Sequence, residues 1–556
     1  MRWSAMSVSA RLASAGLLLV ALAVVAAPFL LSFHFSGDDY EVLRGSTINA
    51  FPVDGDFRVI KEGAYFRPLV TLSFALNAWL SPGLPWSYHL FNLLVHALNA
   101  VLVGMLLRKL FQTRARIALL TGFVFFILPQ GVINAYWIVG RTDLLYTAGV
   151  LGAAVSSLLF IRNGKLRYIV LMAVSFVAAL LSKESGVLFP LYLVAISALL
   201  LLRGADNPQR WRMMAAFAVS FIIVAVYFAH RASIFGSVLG ANDAVGIHDS
   251  GRAMMWLLHG IASLVAPVDP VDYQALWFTW WPGAVLFLIP IATYLFAIAT
   301  LFLRSDRTVR QDVLLLWGAG LAALLLYLPN FPSMRLAYGI LPLLLLPAVH
   351  LLDTHRRALR LRNLLLTGAL SIILLSNAAL IWKFHHIGSW NRQVERLAAS
   401  LPEKGTVYVV AQFGRIGQAI SETAMPVWHP LIPDTDDGNT RVDREVRVLG
   451  RFEGSMFTDW RQPYTMRVNN DTLELLSSDE VSGFVPVSTQ KFSSHADVAM
   501  NGFILRPVEF APKRAGVLRR LQAFPVSGDD APVIFYDNGA FHLTSLAAFR
   551  ARFIMP

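Results

Sequence analysis

Long apolar stretches separated by short polar loops fill most of the chain up to about residue 385. Runs near the ~20-residue length of a membrane-spanning helix lie at 12–33, 86–107, 117–130, 143–161, 167–182, 185–202, 213–230, 281–303, 313–329, 336–352 and 363–382. The pattern predicts an α-helical polytopic membrane protein with about eleven transmembrane helices. The first run continues to about Phe33, longer than the ~7–15-residue core of a signal peptide, so it reads as an uncleaved helix. Segment 252–266 is short, and counting it as a crossing would move the basic loop at 304–310 to the other side. The segment 231–280 is therefore expected at the outer interface, with 252–266 as an amphipathic helix lying in it. Beyond His385 the pattern changes. Strand-like runs (Thr406–Val410, Glu445–Leu449) alternate with turn signals such as Asp437-Gly438 and Asn469-Asn470, which predicts a mixed α/β, β-rich domain. The expected division is a membrane domain at 1–384 and a soluble domain at 385–556.

Composition sharpens this picture. Hydrophobic residues make up 56% and charged residues 15% of the 556 positions, against about 45–50% and about 25% in soluble domains. With no cysteine in the chain, thiol catalysis, Cys-ligated zinc, iron–sulfur clusters and disulfides are excluded. The formal charge of +12 does not point to nucleic acid, because many of the cations cluster between apolar runs. Arg108, Lys109, Arg114 and Arg116 follow the second run; Arg162, Lys165 and Arg167 the fourth; Arg203, Arg210 and Arg212 the sixth. Arg304, Arg307 and Arg310 follow the eighth, and Arg356, Arg357, Arg360 and Arg362 the tenth. Together with Arg2 and Arg11, they place these loops and the N-terminus in the cytoplasm. The C-terminal domain then lies outside. The working location is a bacterial inner membrane with that domain in the periplasm.

The same topology gathers the remaining charged groups on the outer face. A long outer loop, 34–85, opens with Gly37-Asp38-Asp39-Tyr40 and continues to Tyr65-Phe66-Arg67-Pro68-Leu69. Arg141 and Asp143 follow the third run, Lys183-Glu184 divides the fifth from the sixth, and Arg335 precedes the tenth. On either side of Lys183-Glu184 the helix is only about sixteen residues, ~24 Å of rise, short of the ~30 Å hydrocarbon core. The pair is therefore expected below the membrane surface, where ionisable groups are costly and are paired or functional. His89 and His96 stand seven apart on one helix face. They read as structural or substrate-contacting, since zinc normally takes three or four ligands. Trp277, Trp280 and Trp281 read as an interfacial belt. No phosphate-cradling glycine loop is present on the cytoplasmic side. Chemistry on the outer face has no nucleotide supply, so an activated substrate would arrive attached to lipid.

Taken in order, these residues resemble a known family. An Asp38-Asp39 pair follows the first run. Next come Tyr65-Phe66-Arg67-Pro68-Leu69-Val70-Thr71-Leu72, then His89-Leu90-Phe91-Asn92 through His96-Ala97-Leu98. Gly140-Arg141-Thr142-Asp143-Leu144-Leu145 and Ser182-Lys183-Glu184-Ser185-Gly186 complete the series. It is similar to the membrane part of the tetratricopeptide-containing O-mannosyltransferase-like proteins and, more broadly, to the protein O-mannosyltransferase group of GT-C glycosyltransferases. The likeness covers about residues 10–200 and, in general architecture, the chain to about 385. The domain beyond carries no tetratricopeptide repeats.

The resemblance implies a polyprenyl-phosphate-linked monosaccharide as donor and an active site beneath the first outer loop. It also implies inverting transfer to a hydroxyl of an acceptor glycan, lipid or protein. By family position Asp38 is the base and Asp39 orients base or acceptor; the residues alone leave the order of the two open. Arg335, Lys183 and Arg141 are the candidates for the donor phosphate, with Arg335 suited to bidentate contact. Asp143 and Glu184 would orient those cations or hold a sugar hydroxyl, with Arg67, His89 and His96 as further substrate-orienting groups. A divalent metal is left open, since some GT-C enzymes use one and others do not.

Two other classes compete with this reading. A transporter or flippase of lipid-linked glycan would also line a path with intramembrane charge. It would be expected to show internal repeats, and 34–145 has no counterpart in the second half of the chain. A non-enzymatic envelope scaffold would use the membrane part as an anchor, which has no need of ionisable groups at depth.

Overall fold

A computed structural model describes residues 66–81, 85–235, 281–325, 334–355, 358–398 and 400–401, and the strand and helix segments between 405 and 553. The chain divides into two compact units. One takes in residues 45–268 and 285–381, and the other is built around 382–556.

The first unit is helical. Helix α1 (Pro68–Leu80) lies within what the sequence reads as an outer loop. Proline at its first position has its φ preset and lacks only a donor the helix would leave unused. Helix α2 spans Pro85–Phe111 and α3 Ala115–Ile127. The run 117–130, expected as one crossing, is broken: Leu128 adopts φ −64°, ψ 133°, and α4 (Pro129–Tyr136) departs at 58°. Pro129 explains the break, because it pushes the preceding residue out of the helical region and offers no N–H to the turn before it. A 3-10 turn, Ile138–Gly140, leads into α5 (Arg141–Asn163), which ends at Gly164 with φ +68°. Then come α6 (Leu166–Ser182), an extended Lys183, a 3-10 turn at Glu184–Leu188 and α7 (Phe189–Leu202). Helix α8 (Asn207–Phe235) runs past residue 231, into the segment expected at the interface; the rest of that segment, 236–280, lies outside the described residues. The chain continues with α9 (Trp281–Arg304), α10 (Arg307–Leu325), a 3-10 turn at Met334–Gly339, α11 (Leu341–Thr354) and α12 (Leu359–Ala398), of which residues 382–398 belong to the second unit.

From the second run onward, each predicted run overlaps a helix; the third is divided between α3 and α4, and the sixth and tenth begin in 3-10 turns, while the first, 12–33, lies outside the described residues. Among the described residues, five helices are long and apolar enough to cross a membrane alone, and six if α3 and α4 form one bent span. This is the make-up of a multi-pass membrane protein.

Helix α2 shows how the unit is organised. Leu90, Leu94, Leu98, Val101 and Met105 are exposed, while Tyr88, His89, Asn92, His96 and Asn99 are buried. The polar face turns inward because hydrocarbon offers no hydrogen-bond partners and the protein interior does. Against α3 the approach is backbone to backbone. A Cβ at Gly104 would stand 2.5 Å from Ala118 O, and one at Gly122 2.6 Å from Ala100 O. The facing small residues, Ala100 with Gly104 and Ala118 with Gly122, permit this closeness. Gly104→Ala should therefore destabilise the protein. Overpacking costs about 1–3 kcal/mol and outweighs the helix propensity of up to about 1 kcal/mol that alanine adds. Reversible unfolding in bicelles checks the sign; a variant as stable as wild type would mean that the two helices separate freely.

Basic residues cap C-terminal carbonyls of α2 and α5. Arg203 Nη1 donates to Leu110 O at 2.8 Å, and Arg212 Nη1 donates to Ile161 O and Arg162 O, both at 3.1 Å. These carbonyls have no partner within their own helix. Arg203 also pairs with Asp312 at 2.5 Å.

In the second unit, strand Gly405–Val410 lies between Arg444–Val448 and Pro532–Asp537, parallel to both, and Ala540–Ser545 joins antiparallel at the edge. Strands Thr465–Asn469 and Thr472–Ser477 form a tight hairpin, extended antiparallel by Arg519–Ala523. Helix α13 (Leu546–Phe553) packs Phe549 edge-on against Phe535.

Candidate active site

The broken span carries the chain inward to the first turn of α5, where Asp143 is fully buried. A carboxylate at that position also faces the positive end of the helix dipole. Its Oδ1 accepts from Lys183 Nζ at 2.6 Å, and its Oδ2 lies 3.5 Å from Arg335 Nη1. Lys183 reaches it because the chain leaves α6 in an extended conformation before the Glu184–Leu188 turn. Gly186 lets that turn fold onto the end of α6: a Cβ there would stand 2.7 Å from the carbonyl carbon of Ala179.

The neighbouring Glu184 joins a second set. Its Oε2 accepts from Arg67 Nη2 at 2.9 Å, and its Oε1 from Arg231 Nη1 at 3.3 Å. Lys183 stands within electrostatic reach of Asp143, Arg335 and Arg67 together. Four cations and two carboxylates thus converge from the residue preceding α1, from α5, the Lys183–Leu188 junction, α8 and the Met334–Gly339 turn. Arg335 makes the longest of these contacts, and its guanidinium lies over the Trp137 indole at 4.3 Å. Asn134 Nδ2 donates to Arg335 O at 3.1 Å.

Arg141 takes a position different from that of the expected phosphate ligand. It is fully buried, with Nε donating to Asn92 Oδ1 at 2.8 Å, Nη1 to Ser73 O at 3.0 Å and Nη2 to Tyr88 O at 3.2 Å. The rings of Phe74 and Phe91 each lie 4.3 Å from its guanidinium carbon. Its planar fork holds α1 and α2 to the start of α5 instead of facing the other cations. The histidines are likewise core groups. His89 packs against the Tyr136 ring, and His96 lies between Tyr338 Oη at 2.7 Å and Phe126 O at 2.9 Å. Asp38 and Asp39 lie outside the described residues. Among the described residues, no three His, Asp or Glu side chains are grouped so as to hold a metal.

Arg231, Asn99 and Tyr338 were not singled out from sequence. Arg231 closes an apolar helix, and that was its available signal. Asn99 and Tyr338 show themselves only through contacts distant in sequence.

No family model matches the chain. Over 123 residues, 22% of this chain and 14% of the relative, it is 34% identical to Protein O-mannosyl-transferase Tmtc1 of Drosophila melanogaster. The match thus spans a small part of that relative's length. Among solved structures, it is similar to ArnT from Cupriavidus metallidurans in the apo state, at a TM-score of 0.45 and 16% identity, covering 82% of this chain and 96% of that one. It is also similar to the oligosaccharyltransferase AglB from Archaeoglobus fulgidus in complex with an inhibitory peptide and a dolichol-phosphate. There the TM-score is 0.41 and the identity 16%, covering 74% of this chain and 63% of that one.

Proposed function

We propose that this protein is a membrane glycosyltransferase that moves a monosaccharide from a polyprenyl-phosphate to an acceptor hydroxyl on the extracytoplasmic face. The observation that carries the reading is the convergence of Arg335, Lys183, Arg67 and Arg231 on two carboxylates deep in the helical unit. A departing lipid phosphate is an anion, and preorganised cations stabilise charge as it accumulates on the leaving oxygen. The sequence likeness to an O-mannosyl-transferase supports sugar transfer as the chemistry.

In the proposed reaction, Asp38 takes the proton of the acceptor hydroxyl as its oxygen attacks the anomeric carbon. The bond from that carbon to the phosphate oxygen breaks, and the lipid phosphate departs with the electron pair, inverting the centre. Asp39 orients the base or the acceptor. Arg335 and Lys183 hold the phosphate, while Asp143 and Glu184 orient the cations. Arg141 positions α1 over the site from within the core.

Proteoliposomes offered a panel of labelled polyprenyl-phosphate monosaccharides with an envelope extract test this. Wild-type protein should consume one donor, and the Asp38→Asn/Asp39→Asn double variant none. If folded wild type consumed no donor, sugar transfer would be rejected, and the same vesicles would be assayed for movement of lipid-linked glycan.

The proposed orientation in a bacterial inner membrane has its own check. A cysteine at Gly63 or Asp437 should react with an impermeant reagent from outside, and one at Lys165, an exposed residue between α5 and α6, should not. Labelling at Lys165 would reverse the topology.

A further inference from the structure

The Met334–Gly339 turn that carries Arg335 is held by polar side chains from three other helices. Asn134 on α4 donates to Arg335 O at 3.1 Å, and the Tyr192 hydroxyl on α7 donates to Gly339 O at 2.8 Å. From within the turn, Tyr338 reaches α2, where its hydroxyl lies 2.7 Å from His96 Nδ1 and 3.1 Å from Asn99 Nδ2. Tyr338, His96 and Asn99 are all fully buried. The available donors and acceptors fix the direction of each bond. Phe126 O only accepts, so His96 Nε2 carries the proton and donates to it across 2.9 Å. Nδ1 of the neutral ring then accepts from the Tyr338 hydroxyl, and Asn99 donates into that oxygen's lone pair.

Asn99 does a second thing. Its Nδ2 also donates to Leu144 O at 2.9 Å, the residue following Asp143. One carboxamide on α2 therefore joins the turn bearing Arg335 to the helix bearing Asp143. Within the turn, Arg335 and Tyr338 are three residues apart, a spacing at which 3-10 geometry projects side chains from the same side. A Cβ at Gly131 would overlap the His96 ring, and one at Gly339 the Tyr146 ring, so glycines close the space around the network. Phenylalanine would fill the volume of Tyr338 equally well. What the hydroxyl adds is a fixed orientation, through its bonds to His96 and Asn99, as polar contacts in a low-dielectric interior do.

We propose that Tyr338, oriented by His96 and Asn99, is a positioning residue that fixes the Arg335 guanidinium against Asp143 in the geometry that receives a lipid phosphate. This rests on the reading of Arg335 as the phosphate ligand.

The test uses the full chain in lipid nanodiscs, with undecaprenyl phosphate as the probe and hydrogen exchange of the 334–340 segment as a readout that needs no ligand. Tyr338→Phe should speed exchange in that segment by about tenfold or more and weaken lipid binding by about tenfold. Arg335→Gln should weaken binding while leaving exchange near wild type. The double variant should then bind no more weakly than Arg335→Gln alone, because groups acting through one contact are not additive. His96→Leu, which removes the acceptor of the tyrosine hydroxyl, should reproduce Tyr338→Phe, and His96→Gln, which retains an acceptor and a donor, should recover toward wild type. Unchanged exchange in both Tyr338→Phe and His96→Leu would overturn the positioning role. Additive losses in the double variant would overturn its action through Arg335. Wild-type affinity in Arg335→Gln, or no lipid binding by wild type, would overturn the phosphate reading and the proposal's ligand with it, and exchange would still decide whether the turn is held by Tyr338.

Discussion

Asp143→Leu should lower the unfolding free energy by about 3–5 kcal/mol, the cost of leaving a buried charge without its partner. The carboxylate is fully buried and the Lys183 side chain only 10% exposed, so removing Asp143 strands an ammonium where little water can reach it. Adding Lys183→Met should recover much of the loss, because an apolar pair of similar volume replaces a buried ion pair at little or no cost. The Arg67–Glu184 pair behaves differently. Its side chains are 22% and 24% exposed, so removing Arg67, which leaves Glu184 paired with Arg231, should cost less than stranding Lys183. Reversible unfolding in bicelles distinguishes these cases. A single variant within about 1 kcal/mol of wild type would show that water reaches Asp143. A double variant as unstable as the single would remove Lys183 as the cause. The recovered double should still fail at sugar transfer, because it lacks a cation proposed for the phosphate.

Lys183 and Glu184 were legible in the sequence for a physical reason, whereas Asp143 was marked only by its place among the outer-face charges. Charges between two apolar runs each too short to cross must sit at depth, and charges at depth acquire partners. The identity of those partners was not legible. Arg231 meets Glu184 across 47 positions, and His96 meets Tyr338 across 242; nothing local encodes such pairings. Arg141 shows the limit most clearly. Its place beside Asp143 in the chain suggests a shared site, yet successive residues in the first turn of a helix point in different directions. The fork therefore turns to Asn92, Ser73 and Tyr88. Pro129 was visible, but the apolar run around it masked the bend. The residues Pro68–Leu80 form a helix that pattern alone placed in a loop, because a 13-residue apolar segment is too short to register as a crossing.

Asp38→Asn should reduce sugar transfer by about 10²–10⁴-fold, the usual contribution of a general base, while binding of the polyprenyl phosphate persists. Asparagine keeps the size of the side chain and one acceptor oxygen but cannot take the hydroxyl proton. A single carboxylate suffices for the proposed chemistry, since a lipid phosphate departs without protonation. Inverting glycosidases pair two carboxylates because their leaving group is an alkoxide. Asp39→Asn should cost less, acting on orientation alone; the reverse order of effects would exchange the two roles. The decisive comparison is single-turnover transfer from bound donor, which separates the chemical step from lipid capture. If both variants transferred at the wild-type rate, the base would have to be sought elsewhere. Asp143 and Glu184 are poor substitutes. Asp143 is closed to solvent with each oxygen facing a cation, and Glu184 presents both of its oxygens to arginines. An acceptor hydroxyl would have to displace those cations before it could reach either carboxylate, and at Asp143 they are the groups proposed to hold the phosphate.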